Sequence, residues 1–287
     1  MSDRQALLDA VFAHPDEDTP RLVLADWMDE HAEGLPSADR PPVQAQAELL
    51  RLHVAFAQAL EDTPEHARLQ TRINALEEAH RTALLAGVPT FAAGWVRPTR
   101  GLPVRLEITG RQLLKNGKRL RRELRYESLK LRNVGGVLED IVNAGLLAGV
   151  RELDIAFSSV SDGELTHLFR SPDVAALRDL NLNHIRFGDG PAEVLAASQH
   201  LAGLNRLSVW WCNPNVGRAL AGPNCVLGNL TRLHIGNSGI DTATVAGIVG
   251  RPTAKRLIDL ELSYNVLGPE LAEVLARAPR LSGLRRV

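Results

Sequence analysis

Hydrophobic positions in the C-terminal two thirds of the chain fall in a fixed frame. It is clearest at Leu257, Leu260 and Leu262, followed by Asn265 and Leu267 and then Gly268. The same spacing recurs at Leu230/Leu233/Ile235, Leu204/Leu207/Val209, Leu177/Leu180/Leu182 and Val150/Leu153/Ile155. A weaker copy stands at Tyr126/Leu129/Leu131, and a truncated one, Leu281/Leu284, closes the chain. The middle positions are 129, 153, 180, 207, 233, 260 and 284, spacings of 24 to 27 residues. Apolar residues two apart belong to one face of a strand. Between the frames, residues 192–198, 242–248 and 269–276 are apolar at helical spacing, with Pro191 and Pro269 suited to helix starts. The period therefore predicts one strand and one helix per unit, stacked.

The first hundred residues are helical in pattern and do not repeat. Ser2 with Gln5 reads as a capping box opening a helix through Ala13. Thr19-Pro20 reads as an N-cap and first helical position for a helix with Leu22, Val23, Ala25 and Trp27, ending near Gly34. Residues 36–42 read as a loop from their prolines and small polar residues. A third helix is predicted over 43–60, with Leu49, Leu52 and Phe56 on one face, and a fourth from Thr63-Pro64 to Gly87, with Leu69, Ile73, Leu76 and Leu84. Residues 94–103 form the junction, after which Val104/Leu106/Ile108 alternate like an irregular first strand. The expected domains are 1–100, helical, and 101–287, repetitive.

Two resemblances follow from these residues. The frame resembles leucine-rich repeats of the ribonuclease-inhibitor-like type, which implies an α/β solenoid: a horseshoe of parallel strands with helices on the convex side. The stretch HPDEDTPRLVLADWMDE at 14–30 resembles the bacterial repeat-companion domain, whose hallmark is P-x-D-D-x-x-R-L-V-x-A-D-W-L-x-E followed by an R-A-E-F-I-R-L-Q-like helix. The second element appears as QAELLRLH at 46–53, departing at the arginine and final glutamine positions. The resemblance is clear over residues 3–60 and loose to 101. It implies an N-terminal domain that accompanies, and here caps, the repeats; it implies no chemistry.

Strand alternation assigns the exposed face. Between the second and third hydrophobic positions lie Lys130, Asp154, Asn181, Ser208, His234 and Glu261. Just after the third lie Arg132, Ala156, Asn183, Trp210, Gly236 and Ser263. One step on, at the rim, come Asn133, Phe157, His184, Trp211, Asn237 and Tyr264. Trp210 should face solvent, Gly236 should leave room beside it for an inserted group, and Arg206 and Arg232 should supply donors at the edge. A self-covering alternative has Trp210 packed on neighbouring strands or on an irregular segment at 213–223. The expected function is non-catalytic recognition of a protein or peptide on the concave sheet. The partner-binding residues would be Asp154, Asn181, Asn183, His184, Arg206, Ser208, Trp210, Trp211, Arg232, His234, Glu261 and Tyr264.

Composition adds two qualifications. Net charge is −1, but residues 1–50 hold eleven acids against three bases, and residues 111–132 hold nine bases against Glu123 and Glu127. The alternative function is thus polyanion or nucleic-acid binding through Arg111, Lys115, Lys118, Arg119, Arg121, Arg122 and Arg125, or service as a structural subunit of a larger assembly. Chemistry is otherwise sparse. No nucleotide-binding or hydrolase fingerprint occurs. The histidines lack metal spacing, and Asp16, Glu17 and Asp18 suit a helix N-terminus better than a metal. A Cys212/His184 nucleophilic pair is weighed against a structural role for Cys212 at the repeat's asparagine position, shared with Ser158 and Ser238. The structural role is preferred. Asp26 is likewise read as structural, with Arg21 a candidate ion-pair partner. No enzyme, cofactor or metal is expected. Two cysteines, an acidic N-terminus without a signal-like run and no long apolar stretch point to the cytoplasm.

Overall fold

The computed structural model describes residues 3–14, 17–59, 63–86, 88–99, 101–278, 281 and 283–285. The protein is mixed α/β and divides into two compact units, 1–105 and 106–287.

The first unit contains α1 (Asp3–Ala13), α2 (Thr19–Glu33), α3 (Arg40–Gln58), α4 (Pro64–Ala79), the single turn α5 (Arg81–Leu84) and β1 (Val96–Thr99); β2 (Leu102–Thr109) runs across the division. Two stripes of α3 bury on different neighbours. Ala47 and Leu50 meet Val11, Leu24, Ala25 and Met28, together with Leu102 and Val104. Ala45 and Leu49 meet Ile73, Leu76 and Leu84. The two motif halves at 14–30 and 46–53 are joined by Arg51, whose guanidinium reaches Asp26 at 2.6 Å and Asp29 at 2.7 Å.

Several local expectations change. Asp26 pairs with Arg51, not with Arg21, which is buried at 2% exposure and donates to the Glu17 carbonyl at 2.9 Å. Thr19 lies inside α2; Asp18 holds the N-cap position, with helical backbone and no capping bond. Pro41 and Pro42 belong to the first turn of α3, not to a loop, because a first-turn residue needs no amide hydrogen. Thr63 does cap α4, accepting from the His66 amide, but that helix stops at Ala79. Ser2, Asp16 and Gly87 lie outside the described residues.

In the second unit, helices and strands alternate after α6 (Gly110–Glu123). They are β3 (Ser128–Arg132), α7 (Leu138–Asn143), β4 (Glu152–Asp154), α8 (Asp162–Arg170), β5 (Asp179–Asn181), α9 (Asp189–Ala197), β6 (Arg206–Ser208), α10 (Pro214–Ala221), β7 (Arg232–His234), α11 (Thr242–Val249), β8 (Asp259–Glu261) and α12 (Leu271–Arg277). Strands β3 to β8 are parallel and in unbroken register: Leu129, Leu153, Leu180, Leu207, Leu233 and Leu260 stand side by side. Each is at most 2% exposed, and the flanking hydrophobic positions are buried with them. Leu165, Leu168, Leu195, Val216, Leu220 and Val245 bury from the helices, so the strand leucines and the helix layer share one core.

The asparagine slot of the repeat works as a ladder between strands. The Asn265 amide group donates to the Ile235 and Leu262 carbonyls, both at 2.8 Å, while its oxygen accepts from the Ser238 and Ile240 amides at 3.0 and 3.3 Å. Ser238 Oγ donates to the Val209 carbonyl at 2.8 Å, and the Cys212 thiol to the Leu182 carbonyl at 3.4 Å. Each thus satisfies a carbonyl of the preceding strand segment. Ser158 is buried in the same slot with no hydrogen-bond partner for its hydroxyl among the described residues. Residues 214–221 form α10, packed between α9 and α11, so no irregular segment folds over the strands there. The closing Leu281/Leu284 copy forms no strand among its described residues; the Arg285 amide nevertheless donates to the Ile258 carbonyl at 2.9 Å.

Candidate functional site

The helix-free face of the sheet carries the expected columns in the expected order. Lys130, Asp154, Asn181, Ser208, His234 and Glu261 are register partners across β3 to β8. Beside them runs a second charged column, Ser128, Glu152, Asp179, Arg206, Arg232 and Asp259. Of this column only Arg206 and Arg232 stood out in the sequence, although the acids share its phase.

Much of the middle column is occupied by its own backbone. Asp154, Asn181 and Glu261 each accept from the amide two residues on, at 3.0, 3.0 and 2.9 Å. Asn183 Oδ1 accepts from the Trp210 amide at 2.7 Å. Ser208 is only 8% exposed, which corrects its assignment as a contact residue. In the charged column, Arg206 lies 3.3 Å from Asp179, and His234 Nε2 lies 3.2 Å from the buried Asp259 carboxylate. Burial pushes the Asp179 carboxyl up to about 6, outweighing the opposing pull of Arg206, with Glu152 pushing the same way.

The rim column has one backbone conformation throughout. Asn133, Phe157, His184, Trp211, Asn237 and Tyr264 all have positive φ, from 48 to 60°. The left-handed region is unfavourable for bulky side chains, so the repeat imposes it. The strand ladder does so directly: the amides of Phe157, His184, Trp211 and Asn237 donate to the carbonyls of Asn183, Trp210, Gly236 and Ser263 at 2.8–3.0 Å. Each rim side chain thereby leaves its strand end in the same way.

The result is a row of aromatic rings. Phe157 stacks on His184 with centroids 4.1 Å apart, and His184 meets Trp211 at 4.9 Å and Trp210 at 5.3 Å. Trp210 and Trp211 meet edge to face at 5.8 Å. Phe157 is 73% exposed, Trp211 44% and Tyr264 82%. Phe157 stands in the rim column that the sequence defines but is not among the predicted partner-binding residues, although Asp154 of the same repeat is.

Trp210 is half-buried and stays out of the leucine core. The space above Gly236 is not open to an inserted group. A Cβ there would lie 2.4 Å from Trp210 Cδ1 and 2.5 Å from Glu261 Oε2. The missing side chain accommodates the protein's own indole, so the self-covering reading of Trp210 holds on this side. His184, Arg206, Trp211, Arg232, His234 and Tyr264 remain at least partly exposed around it.

The remaining chemical candidates resolve structurally. The Cys212 thiol is pushed up to about 12 by burial, which removes it as a nucleophile at neutral pH. Cys212 and Cys225 are both free and buried. No three His, Cys, Asp or Glu side chains among the described residues are grouped to hold a metal. No described helix is long and apolar enough to cross a membrane.

The basic belt is largely α6. Leu113, Gly117 and Leu120 bury, and Gly117 lets the helix approach Leu146. Arg121 is drawn inward: it donates to the Leu146 carbonyl at 2.7 Å and lies 4.3 Å from the Tyr126 ring centre. Arg119 and Arg122 pair with Glu123 at 2.9 and 3.1 Å. Arg111, Lys115, Lys118 and Arg125 are exposed.

No family model matches the chain, and no curated protein matches it. Among solved structures it is similar to an internalin (inlF) from Listeria monocytogenes, at 15% identity and a TM-score of 0.37 over 56% of this chain. The match spans 45% of the internalin chain.

Proposed function

We propose that the chain is a non-catalytic leucine-rich-repeat module that binds a protein or peptide partner on the helix-free, concave face of its sheet. Its N-terminal unit, on this reading, is a repeat-companion domain. The observation that carries the proposal is the row of exposed rings at 157, 211 and 264, with the half-buried His184 ring between the first two, held by a repeated backbone conformation. Exposed aromatics on a rigid frame lose little conformational entropy on binding, and tryptophan and tyrosine are enriched at interface hot spots. The charged column farther along the same face, with Arg206 and Arg232 between Asp179 and Asp259, supplies orientation more than affinity. Asp154, Asn181, Asn183 and Glu261 are assigned to shaping the face, since their side chains already hold backbone amides. The two buried free thiols suit a cytoplasmic setting.

Affinity capture from a native lysate tests this, comparing the wild type with Trp211→Ala, which removes the exposed indole of the row. The expected outcome is loss of the principal partner with the thermal unfolding transition retained; equal recovery by both proteins refutes the site.

A second reading, polyanion binding along α6, is favoured by the placement of Arg111, Lys115, Lys118 and Arg122 on one exposed helical row. It takes second place because Arg119 and Arg122 share Glu123 and Arg121 is engaged with Leu146 and Tyr126. A structural role in a larger assembly would use the same exposed rings.

A further inference from the structure

The charges of α6 work against its own helix. Its first turn holds Arg111 and no acid. The positive end of the helix dipole favours acids there, and the first turns of α7, α8 and α9 each supply at least one. Lys115, Lys118 and Arg122 follow Arg111 at spacings of four, three and four residues. Side chains so spaced are neighbours on a helix, and like charges there destabilise it. Six residues of α6 are exposed, five of them bases and the sixth Glu123. Arg119 and Arg122 share that carboxylate. The side chains of Arg111, Lys115 and Lys118 pair with no described residue. The opposite face is taken: Gly110, Leu113, Gly117 and Leu120 are buried, and a Cβ on Gly117 would lie 2.5 Å from Leu146.

We propose that the row Arg111, Lys115 and Lys118 binds the phosphate backbone of a nucleic-acid duplex without reading its sequence. The inference rests on the polyanion reading of α6 and names its ligand. A row of cations that no acid of the protein meets, and that its helix does not need, is complementary to a polyanion. A lipid surface fits poorly, because an interfacial helix turns its apolar face to the membrane, and here that face is packed on the protein. A protein partner is anchored by aromatic and apolar contacts, and no exposed residue of α6 is either. Single strands are held by stacking on exposed rings. Tyr126, just after α6, is 3% exposed and has Arg121 over its ring at 4.3 Å. Backbone charge without base contacts is the sequence-independent part of duplex binding. Arg111 to Lys118 covers ~10.5 Å of helix axis, about three nucleotide steps along one strand.

Fluorescence anisotropy of a labelled, mixed-sequence DNA duplex titrated with the full chain tests this. Three phosphate contacts give a log–log salt slope of about −3, roughly a 40-fold loss of affinity between about 50 and 200 mM salt. Lys115→Gln/Lys118→Gln is expected to bind about tenfold more weakly or worse at about 50 mM salt, with a slope near −1. Its thermal unfolding transition is expected to be no lower than the wild type's, since it relieves like-charge contacts. Lys255→Gln removes an exposed base outside α6 and is expected to bind as the wild type does. The proposal is overturned by no duplex binding at low salt, by retained binding in the folded double variant, or by an equal loss from Lys255→Gln. Tighter binding to the matching single strand or to phosphatidylserine vesicles overturns it too. Heparin separates it from the broader reading. If heparin binds through the same two lysines and the duplex does not, the nucleic-acid ligand falls and polyanion binding stands. If heparin also fails, both fall.

Discussion

Asp179 shows how the strand face sets the behaviour of a single side chain. Its carboxyl sits between Glu152 and Arg206 in register, and burial raises it to about 6 against an unfolded value near 3.9. The folded protein therefore holds this proton where the unfolded chain has released it. The stability this contributes is fully present below about pH 4 and is lost as pH rises through about 6. Asp179→Asn, which cannot ionise, is expected to remove that part of the pH dependence. Urea unfolding of both proteins across this range checks it, and parallel stability curves contradict it. Residue identity was readable from the leucine phase, but this titration was not, because it depends on what surrounds the carboxyl. The same limit applies to Gly236. A sequence marks the absent Cβ but cannot say that Trp210 fills the space.

At the scale of elements, the unit is a strand, a left-handed turn and a buried polar slot. Asn265 makes four hydrogen bonds across that turn, using both donor and acceptor atoms. Asn265→Ala leaves the Ile235 and Leu262 carbonyls and the Ser238 and Ile240 amides without that partner. The expected cost is about 1–3 kcal/mol, the usual penalty for stranded polar groups. Denaturant titration at constant slope measures it, and a change below experimental error removes the ladder as a stabilising device. The slot was legible because Asn265, Ser238 and Cys212 recur three positions after the third hydrophobic residue. Strand register was legible for the same reason: a period-two pattern has only one phase that buries leucine. Helix boundaries were less so. Pro41 and Pro42 look like loop residues, yet a first helical turn tolerates both. Residues 214–221 mix Pro, Asn and Gly with only a short apolar stripe, which conceals an eight-residue helix.

Across the whole molecule, the leucine period supplies the scaffold and, on the proposed function, the recognition surface together. Each strand repeats the same exit from the sheet, so side chains distant in sequence become a single row. Phe157, His184, Trp211 and Tyr264 are about one repeat or two apart along the chain, yet the first three are in ring-to-ring contact. That alignment explains why no local motif marks the row, and why the leucine phase is what brings these residues into one column. The N-terminal unit obeys a different logic. Its stretches at 14–30 and 46–53 are tied together by Arg51, which reaches both Asp26 and Asp29.

Amide hydrogen exchange with and without the captured partner tests the central claim most directly. Slowed exchange is expected around residues 181–184, 208–211, 234–237 and 261–264, with helices α8 to α11 unchanged on their exposed sides. Protection confined to those helices, with the strand ends exchanging as in the free protein, contradicts recognition on the strand face.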